Sequence, residues 1–557
     1  MRYTVVDAAE FTYPDRWDYA TGGDRIVVEA PRGGKATFQI LLEGLTADRK
    51  KENWLPREVY QSEALWEEAK LGFPRKGGVS VTCDLPLQIE WYSLVPVTVE
   101  LNYFFENDGI TEKDFLPHFP ERRAPYRVYD CFRPFDGTLD VGVGDGRAQE
   151  TSMGGLFGAV DEPKDAVPGE YSAVDTLAVD GEVLTVPMEL KVYAAVIPEE
   201  SLTIIQGHHP GTLAKYYGMT TDSPEFSEIN EKYIRMLRRM RQNMMYTSGV
   251  KVTKVGENRY EFDFSKMEEA MRLGFSLGMK SFNGPSVGWR QSWEGSTILV
   301  NGNIPCMSYE GYCYLSQYLP ALHAMLEKNG WLDRFVMGVA DEPNDKNATE
   351  FRALCGLIRK FVPDIRLIDA MSYGDLHGAL DIWVPLNAEY DKHQEEMETL
   401  RGNGDEIWHY VCCGPRDTKY INRFLDQALL ATRYLFWGNY RHDLTGYLHW
   451  ASACYQGGQD PFRQNCPVHF NTDHSHPLPA GDTHILYPGE DGPWLSARSE
   501  AQRESAEEYE MLKALAKRDK ARADSICAKV FRSFCDVEYD VAKFRAARRE
   551  LLEALSE

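Results

Sequence analysis

The 557-residue chain is predicted to be an α/β protein with a β-rich N-terminal part: a β-sandwich, then a (β/α)8 TIM barrel, then a C-terminal helical extension. Three observations carry this. Residues 1–198 hold apolar or alternating runs separated by turn formers, with no amphipathic helix between them. From Leu202 onward, strand-like runs alternate with amphipathic helical patterns. That alternation counts to eight, and no Gly-rich dinucleotide turn follows any strand, which disfavours an open doubly wound sheet. The expected units are 1–198 for the sandwich, 199–520 for the barrel and 521–557 for the tail.

The sandwich strands are read from "RIVVEA", "KATFQILLEGL", "LQIEWYSLVPVTVELNYFF", "GTLDVGVG", "VDTLAVDG" and "LTVPMELKVYAAVIP". The Asp180-Gly181 pair between two of them is a hairpin signal, because both residues tolerate the left-handed backbone of a tight turn. The barrel strands follow in order: "LTIIQGHH", "NMMYTSG", "MKSFNGP", "RFVMGVADEP", "IRLIDAMS", "DIWVPLN", "EIWHYVCC" and "GYLHWAS". Between the last two, a helix is expected over "INRFLDQALLATRYLFWG". After the eighth strand comes a Pro/His/Gly-rich loop from Gln464 to Ser496, then a closing helix over "ARSEAQRESAEEYEMLKALAKR". The tail after Ala521 reads as a packing or homo-oligomer contact.

Composition narrows the function. Lys plus Arg number 61 against 85 Asp plus Glu, a net charge of −24. With no basic surplus to displace counterions, nucleic acid is not an expected partner. No apolar run is long enough to span a membrane, and the N-terminus lacks the basic and apolar regions of a signal peptide, so a cytoplasmic location is expected. The eleven cysteines are scattered without a C-x-x-C pair. That argues for reduced thiols, Cys412 and Cys413 included, and against a zinc site or disulfide framework. His474, His476 and His484 lack a carboxylate at ligand spacing, so neither metal nor cofactor is expected.

In a barrel of this kind the chemistry gathers at the C-terminal ends of the strands. Gln206, His208 and His209 end the first strand and Asn283 the third. Asp341 and Glu342 end the fourth, and Asp369 lies late in the fifth. Asn387, Glu389 and Tyr390 follow the sixth, Trp408, His409 and Tyr410 lie in the seventh, and His449 and Trp450 in the eighth. No G-x-S-x-G elbow, P-loop or H-E-x-x-H is present. Aromatics that stack on sugar rings, with acids and amides that take hydroxyls, suit a small oligosaccharide or glycoside. His208 and His209 suit a sugar grip and a structural role about equally, and Trp408, Trp450 and Trp494 suit a stacking floor or the core.

The Asp341-Glu342-Pro343 tripeptide is the sharpest feature. Glycoside cleavage needs a carboxylic acid that gives its proton to the leaving oxygen and a second group that stabilises positive character at the anomeric carbon. Pro343 disfavours helical geometry at Glu342, so an extended pair is expected, and the Asp anion favours the acid form of its neighbour. The same tripeptide also fits a plain helix entry.

Several stretches occur in an order that resembles glycoside hydrolase family 123. They are "VADEP", "DIWVP", "IWHYVCCGP", "GYLHWA", "GDTHILYPG" and "GPWLSARSEAQRESAEEYEML", with "EAPRGGKATFQILL" and "AVPGEYSAV" in the N-terminal part. The resemblance implies a retaining exo-glycosidase for β-linked N-acetylhexosamine, N-acetylgalactosamine favoured, in which the substrate's acetamido group is the nucleophile. It implies Glu342 as general acid/base and Asp341 as the partner of the acetamido nitrogen. Tyr390 or Tyr410 would assist the acetamido oxygen, and Asp482 and Tyr487 lie in a family-like loop. Two departures stand out: Glu508 where relatives carry Asp, and an N-terminus without the export signal usual in the family. The alternatives are a glycosidase for a non-acetamido sugar, with Glu342 and another carboxylate such as Glu389, and a non-catalytic carbohydrate-binding relative.

Overall fold

The computed structural model describes residues 1–45, 75–102, 121–141, 153–247, 249–371, 374–415, 419–455, 459–467 and 477–557. His474 and His476 lie outside the described residues.

Two sheets form the sandwich. One has seven strands, in the order Arg2–Asp7, Lys35–Glu43, Met153–Asp161, Ile89–Val99, Tyr126–Pro134, Gly492–Ser496 and Tyr487–Gly489. The other has four: Ile26–Arg32, Glu182–Val196, Gly169–Val179 and Ser80–Cys83. Alternating apolar side chains such as Ile40, Leu156, Leu177 and Met188 interdigitate between them. The expected Asp180-Gly181 turn is present, with φ of 54° and 83°, and sets the register of Val179 against Glu182.

The eight expected barrel strands are all present and parallel: Thr203–Gln206, Met244–Tyr246, Ser281–Gly284, Phe335–Gly338, Arg366–Met371, Ile382–Pro385, a split seventh strand (Glu406–Ile407 and His409–Tyr410) and Gly446–His449. The first pairs with the eighth, and the halves of the seventh pair with the sixth and eighth, closing the ring. Ile205, Met244, Val336, Ile368, Val384 and Leu448 fill its interior. Strands one and eight approach closely at Gly207, where a Cβ would stand 1.8 Å from the Trp450 carbonyl oxygen, so any other residue would part them.

Two differences from the sequence reading are informative. The helix expected over 421–438 starts only at Leu429 and runs as two short pieces, Leu429–Arg433 and Leu435–Arg441. The preceding residues are committed to tertiary polar bonds. Asn422 Nδ2 donates to the carbonyls of Cys412 and Gly414, and Arg423 donates to Gln206 and the carbonyls of Ala451 and Asp482. The chain after strand eight is not only a loop. Its hairpin, Tyr487–Gly489 with Gly492–Ser496, joins the sandwich sheet, pairing Leu495 with Phe132 and Ser496 with Cys131.

That hairpin leads into the closing helix, Ala497–Arg518, which is buried along most of its length despite its polar sequence. A capping box at Ser496 and Ser499 starts it. The tail helix Val541–Ser556 then packs on this helix and on the sandwich, with Arg545 paired to Asp7 and Arg549 to Glu29. No helix among the described residues is long and apolar enough to cross a membrane.

Candidate active site

A cavity of about 460 Å³ opens at the C-terminal ends of the barrel strands. Its wall carries four carboxyl groups: Asp341, Glu342, Asp369 and Asp482. Tyr246, Asn283, Tyr410 and Trp450 complete its polar and aromatic lining, with Cys412 and Cys413 beside them.

The backbone of the acid pair departs from the extended geometry expected of a residue before proline. Asp341 and Glu342 have φ of 48° and 38°, in the left-handed region. For non-glycine residues this costs about 1–2 kcal/mol each. Pro343 disfavours the right-handed helical well for Glu342 but leaves this one open to it. The surroundings over-determine the conformation. The Glu342 N–H donates to the Ala370 carbonyl at 2.9 Å. Arg290 Nη2 donates to the carbonyl oxygens of both Asp341 (2.7 Å) and Glu342 (3.1 Å). One oxygen of Asp369 accepts three successive backbone N–H groups, from Val339, Ala340 and Asp341, at 3.2, 2.8 and 3.1 Å. At about 1 kcal/mol for each net hydrogen bond, these contacts offset the strain.

The two acids have different surroundings. The Tyr410 hydroxyl donates to Glu342 Oε1 at 2.6 Å. Asp341 is pushed up to about 6 by burial and by the charge of Glu342, with Arg290 opposing. Asp369 is pushed up to about 8 by burial and the Asp341 charge, against the pull of its three N–H donors. Asp482 is pushed up to about 7 by burial, with Arg423, the Trp450 N–H and Arg498 opposing. The Trp450 indole N–H donates to both oxygens of Asp482. A site holding several carboxyls at raised pKa can keep one protonated as a donor while another stays anionic.

Of the residues singled out from sequence, Asp341, Glu342, Asn283, Tyr410 and Trp450 line this cavity. Asn283 brings a buried Oδ1 with no donor among the described residues. His449 stands behind the wall. Its Nδ1 accepts the Ala451 N–H, and its Nε2 lies 3.3 Å from Asp482, so burial keeps a neutral ring with the proton on Nε2.

The others are placed elsewhere. His208 bonds Asn230 at 2.7 Å, and His209 bonds the Trp450 carbonyl at 2.9 Å. Asn387 donates to the Ile421 carbonyl. Glu389 pairs with Lys392 on its own helix, Asn387–Lys392, and the Tyr390 hydroxyl donates to Glu398. Trp408 sits in the barrel interior, donating to Glu406, with its ring over Gly446. Trp494 and Tyr487 belong to the hairpin on the sandwich sheet. Tyr390 therefore lies away from the acid pair, and Tyr410 is the tyrosine that touches it.

Sequence reasoning passed over Tyr246 and Arg290, and it gave Asp369 no role. Tyr246 ends strand two, so the strand-end rule that found Asn283 would have found it. Arg290 carried no signal, since it comes from the middle of a long loop and grips main-chain atoms.

The sequence and the fold have counterparts among known proteins. The model of the glycoside hydrolase 123 catalytic domain matches residues 208–515. A family 123 glycoside hydrolase from Clostridium perfringens, solved in a study of glycolipid glycan hydrolysis, superposes with a TM-score of 0.73 at 14% identity, covering 99% of this chain and 98% of its own. β-Glucuronidase 3 from Bacteroides uniformis matches at a TM-score of 0.29 and 11% identity over 87% of this chain and 51% of its own, too little to carry an argument. No curated protein matches the chain. The family model spans more than half of the sequence and contains the whole cavity wall, and the chain belongs to glycoside hydrolase family 123 as a glycosidase.

Proposed function

We propose that this glycosidase releases terminal β-linked N-acetylhexosamine, N-acetylgalactosamine in the first instance, from an oligosaccharide or glycoside with retention of configuration. The observation that carries the reading is the pairing of two adjacent acids in unlike surroundings on one cavity wall: Glu342 under the Tyr410 hydroxyl, and Asp341 beside it, open to solvent and with its carboxyl pushed up.

In this scheme Glu342 gives its proton to the glycosidic oxygen as the bond to the anomeric carbon breaks. The carbonyl oxygen of the 2-acetamido group attacks the same carbon. Asp341, as the anion, accepts the acetamido N–H and stabilises the positive charge that develops on it. Glu342 then takes a proton from the water that opens the cyclic intermediate. The other cavity carboxyls favour a nucleophile supplied by the substrate, because Asp369 is engaged by three backbone N–H groups and Asp482 by Trp450.

A panel of 4-nitrophenyl glycosides tests the proposal. Release from the β-N-acetylgalactosaminide or β-N-acetylglucosaminide, abolished in Glu342→Gln and inhibited by a thiazoline analogue of the cyclic intermediate, is the expected result. Release confined to sugars without a 2-acetamido group would overturn it.

A further inference from the structure

We propose that Trp289 and Trp293 form a subsite for the leaving group, and that the leaving group is a saccharide whose rings stack on these two indoles. This rests on the catalytic reading of Asp341 and Glu342, and extends it to the part of the substrate on the far side of the scissile bond.

The loop that leaves strand three runs as a wall beside the acid pair. Its first residues, Pro285 and Ser286, line the cavity. The N–H groups of Val287 and Gly288 donate to the carbonyls of Gly338 and Val339, at 3.1 and 2.8 Å. Arg290 holds the carbonyls of Asp341 and Glu342. Asn344 Nδ2 then donates to the Trp293 carbonyl at 2.8 Å, and Asn347 Nδ2 to the Gly295 carbonyl at 3.3 Å. The segment is therefore fastened, point by point, to the stretch that carries the acids.

On this fastened wall stand two indoles that the fold does not cover. Trp289 is 43% exposed and Trp293 50%, and they are the only tryptophans among the described residues that rank as exposed. Isolated apolar side chains on a surface need no explanation. Two tryptophans that flank Arg290 on one loop beside a sugar cavity do. Trp289 is held in place, since its Nε1–H donates to the Gly302 carbonyl at 2.6 Å and its backbone pairs with Leu299. Its polar atom is satisfied within the protein, and what it offers outward is the ring.

A rigid aromatic face loses little entropy on binding and matches the C–H face of a pyranose. A methyl leaving group offers no ring to stack on an indole, whereas a saccharide leaving group does.

Kinetics with two substrates sharing one terminal sugar separate this role from a structural one. The pair is methyl β-N-acetylgalactosaminide and a trisaccharide ending in β-linked N-acetylgalactosamine. Trp293→Ala is expected to lower kcat/KM for the trisaccharide by roughly fivefold to tenfold and leave the methyl glycoside within about twofold, with Trp289→Ala acting in the same direction. Trp293→Phe should recover part of the loss. Equal losses on both substrates would mean the loop only supports the acids, and an unchanged trisaccharide would mean no stacking; either overturns the proposal. So would a concentration-dependent dimer that Trp293→Ala abolishes, since the indoles would then face a second copy. If the glycoside panel selects a different terminal sugar, the same two-substrate ratio is measured with that sugar, so the two readings fail separately.

Discussion

Two clusters of charge in this molecule are built on opposite rules. Around the closing helix, Arg433 is paired with Glu504 and Glu508, Arg503 with Glu500, Glu504 and Glu507, and Arg548 with Glu508. Burial alone would raise these acids, but the guanidinium charges win, and Glu500 and Glu504 are held below the ordinary carboxylate range. In the cavity, Asp369 and Asp482 are buried while Asp341 stands exposed to solvent; none of the three has a guanidinium on its carboxyl oxygens among the described residues, and all three are pushed up. Arg290 stands close by, yet its hydrogen bonds go to carbonyl oxygens, and its charge only moderates the rise at Asp341. Buried carboxyls occur in both clusters. Pairing separates a charge cluster that holds the fold from one positioned for chemistry.

The sharpest way to break this contrast is to change one member of each cluster. Glu342→Gln is expected to lower kcat/KM by about a thousandfold, as loss of a general acid does, while thermal unfolding stays at or above the wild-type temperature because a like charge beside Asp341 is gone. Arg433→Met should do the reverse. It removes one of the two guanidinium partners from each of two buried glutamates and should cost about 3 kcal/mol in denaturant unfolding, with activity per folded molecule retained. A glutamine variant that unfolds early, or a methionine variant that is stable but inactive, would erase the distinction.

Protonation sharpens it further. Below about 6, Asp341 carries a proton and cannot accept the acetamido N–H, so the wild-type rate should fall as pH drops through that value. Asp341→Asn should lower the rate and flatten that limb, which a pH profile of kcat/KM reads directly. Asp369 tests linkage instead. Its folded value of about 8 lies above the 3.8 of an unperturbed aspartate, so the unfolded chain releases this proton first. Stability from this group is therefore present below 3.8 and lost as pH rises through about 8. Asp369→Asn, whose amide oxygen still meets the three N–H donors, should gain on the wild type in denaturant midpoint across that window. The smallest effect is reserved for Glu389→Gln, which removes a half-exposed ion pair with Lys392 and should leave kcat/KM within about twofold.

What was legible in the sequence follows the range of the interactions. The eight strands were readable because each is an apolar run bounded by its own helix or turn, a local property. Asp341 and Glu342 were readable because they end such a run. Tyr410 and Trp450 followed from the same rule, but so did His208 and Glu389, which the fold turns toward Asn230 and Lys392. Strand ends indicate height in the barrel and not the direction of a side chain. Asp369 was seen as an acid in strand five, yet its grip on the backbone of the neighbouring strand end is a contact across the sheet. The closing helix had a polar pattern, and only its partners, from Arg239 to Arg548, explain why it is buried.

The returning hairpin sets a schedule for synthesis. Strand Tyr126–Pro134 pairs with Ile89–Val99 on one side, but its other neighbour, Gly492–Ser496, leaves the ribosome more than three hundred residues later. Until then the sandwich has an open edge, and Asp130, on that strand, lacks its partner Arg498, with which it forms an ion pair of fully buried side chains. The N-terminal sheet is thus completed only after the barrel strands have been made. A fragment ending near residue 200 would present an unpaired edge and a lone buried acid, and it would need a chaperone or the rest of its own chain to stay in solution.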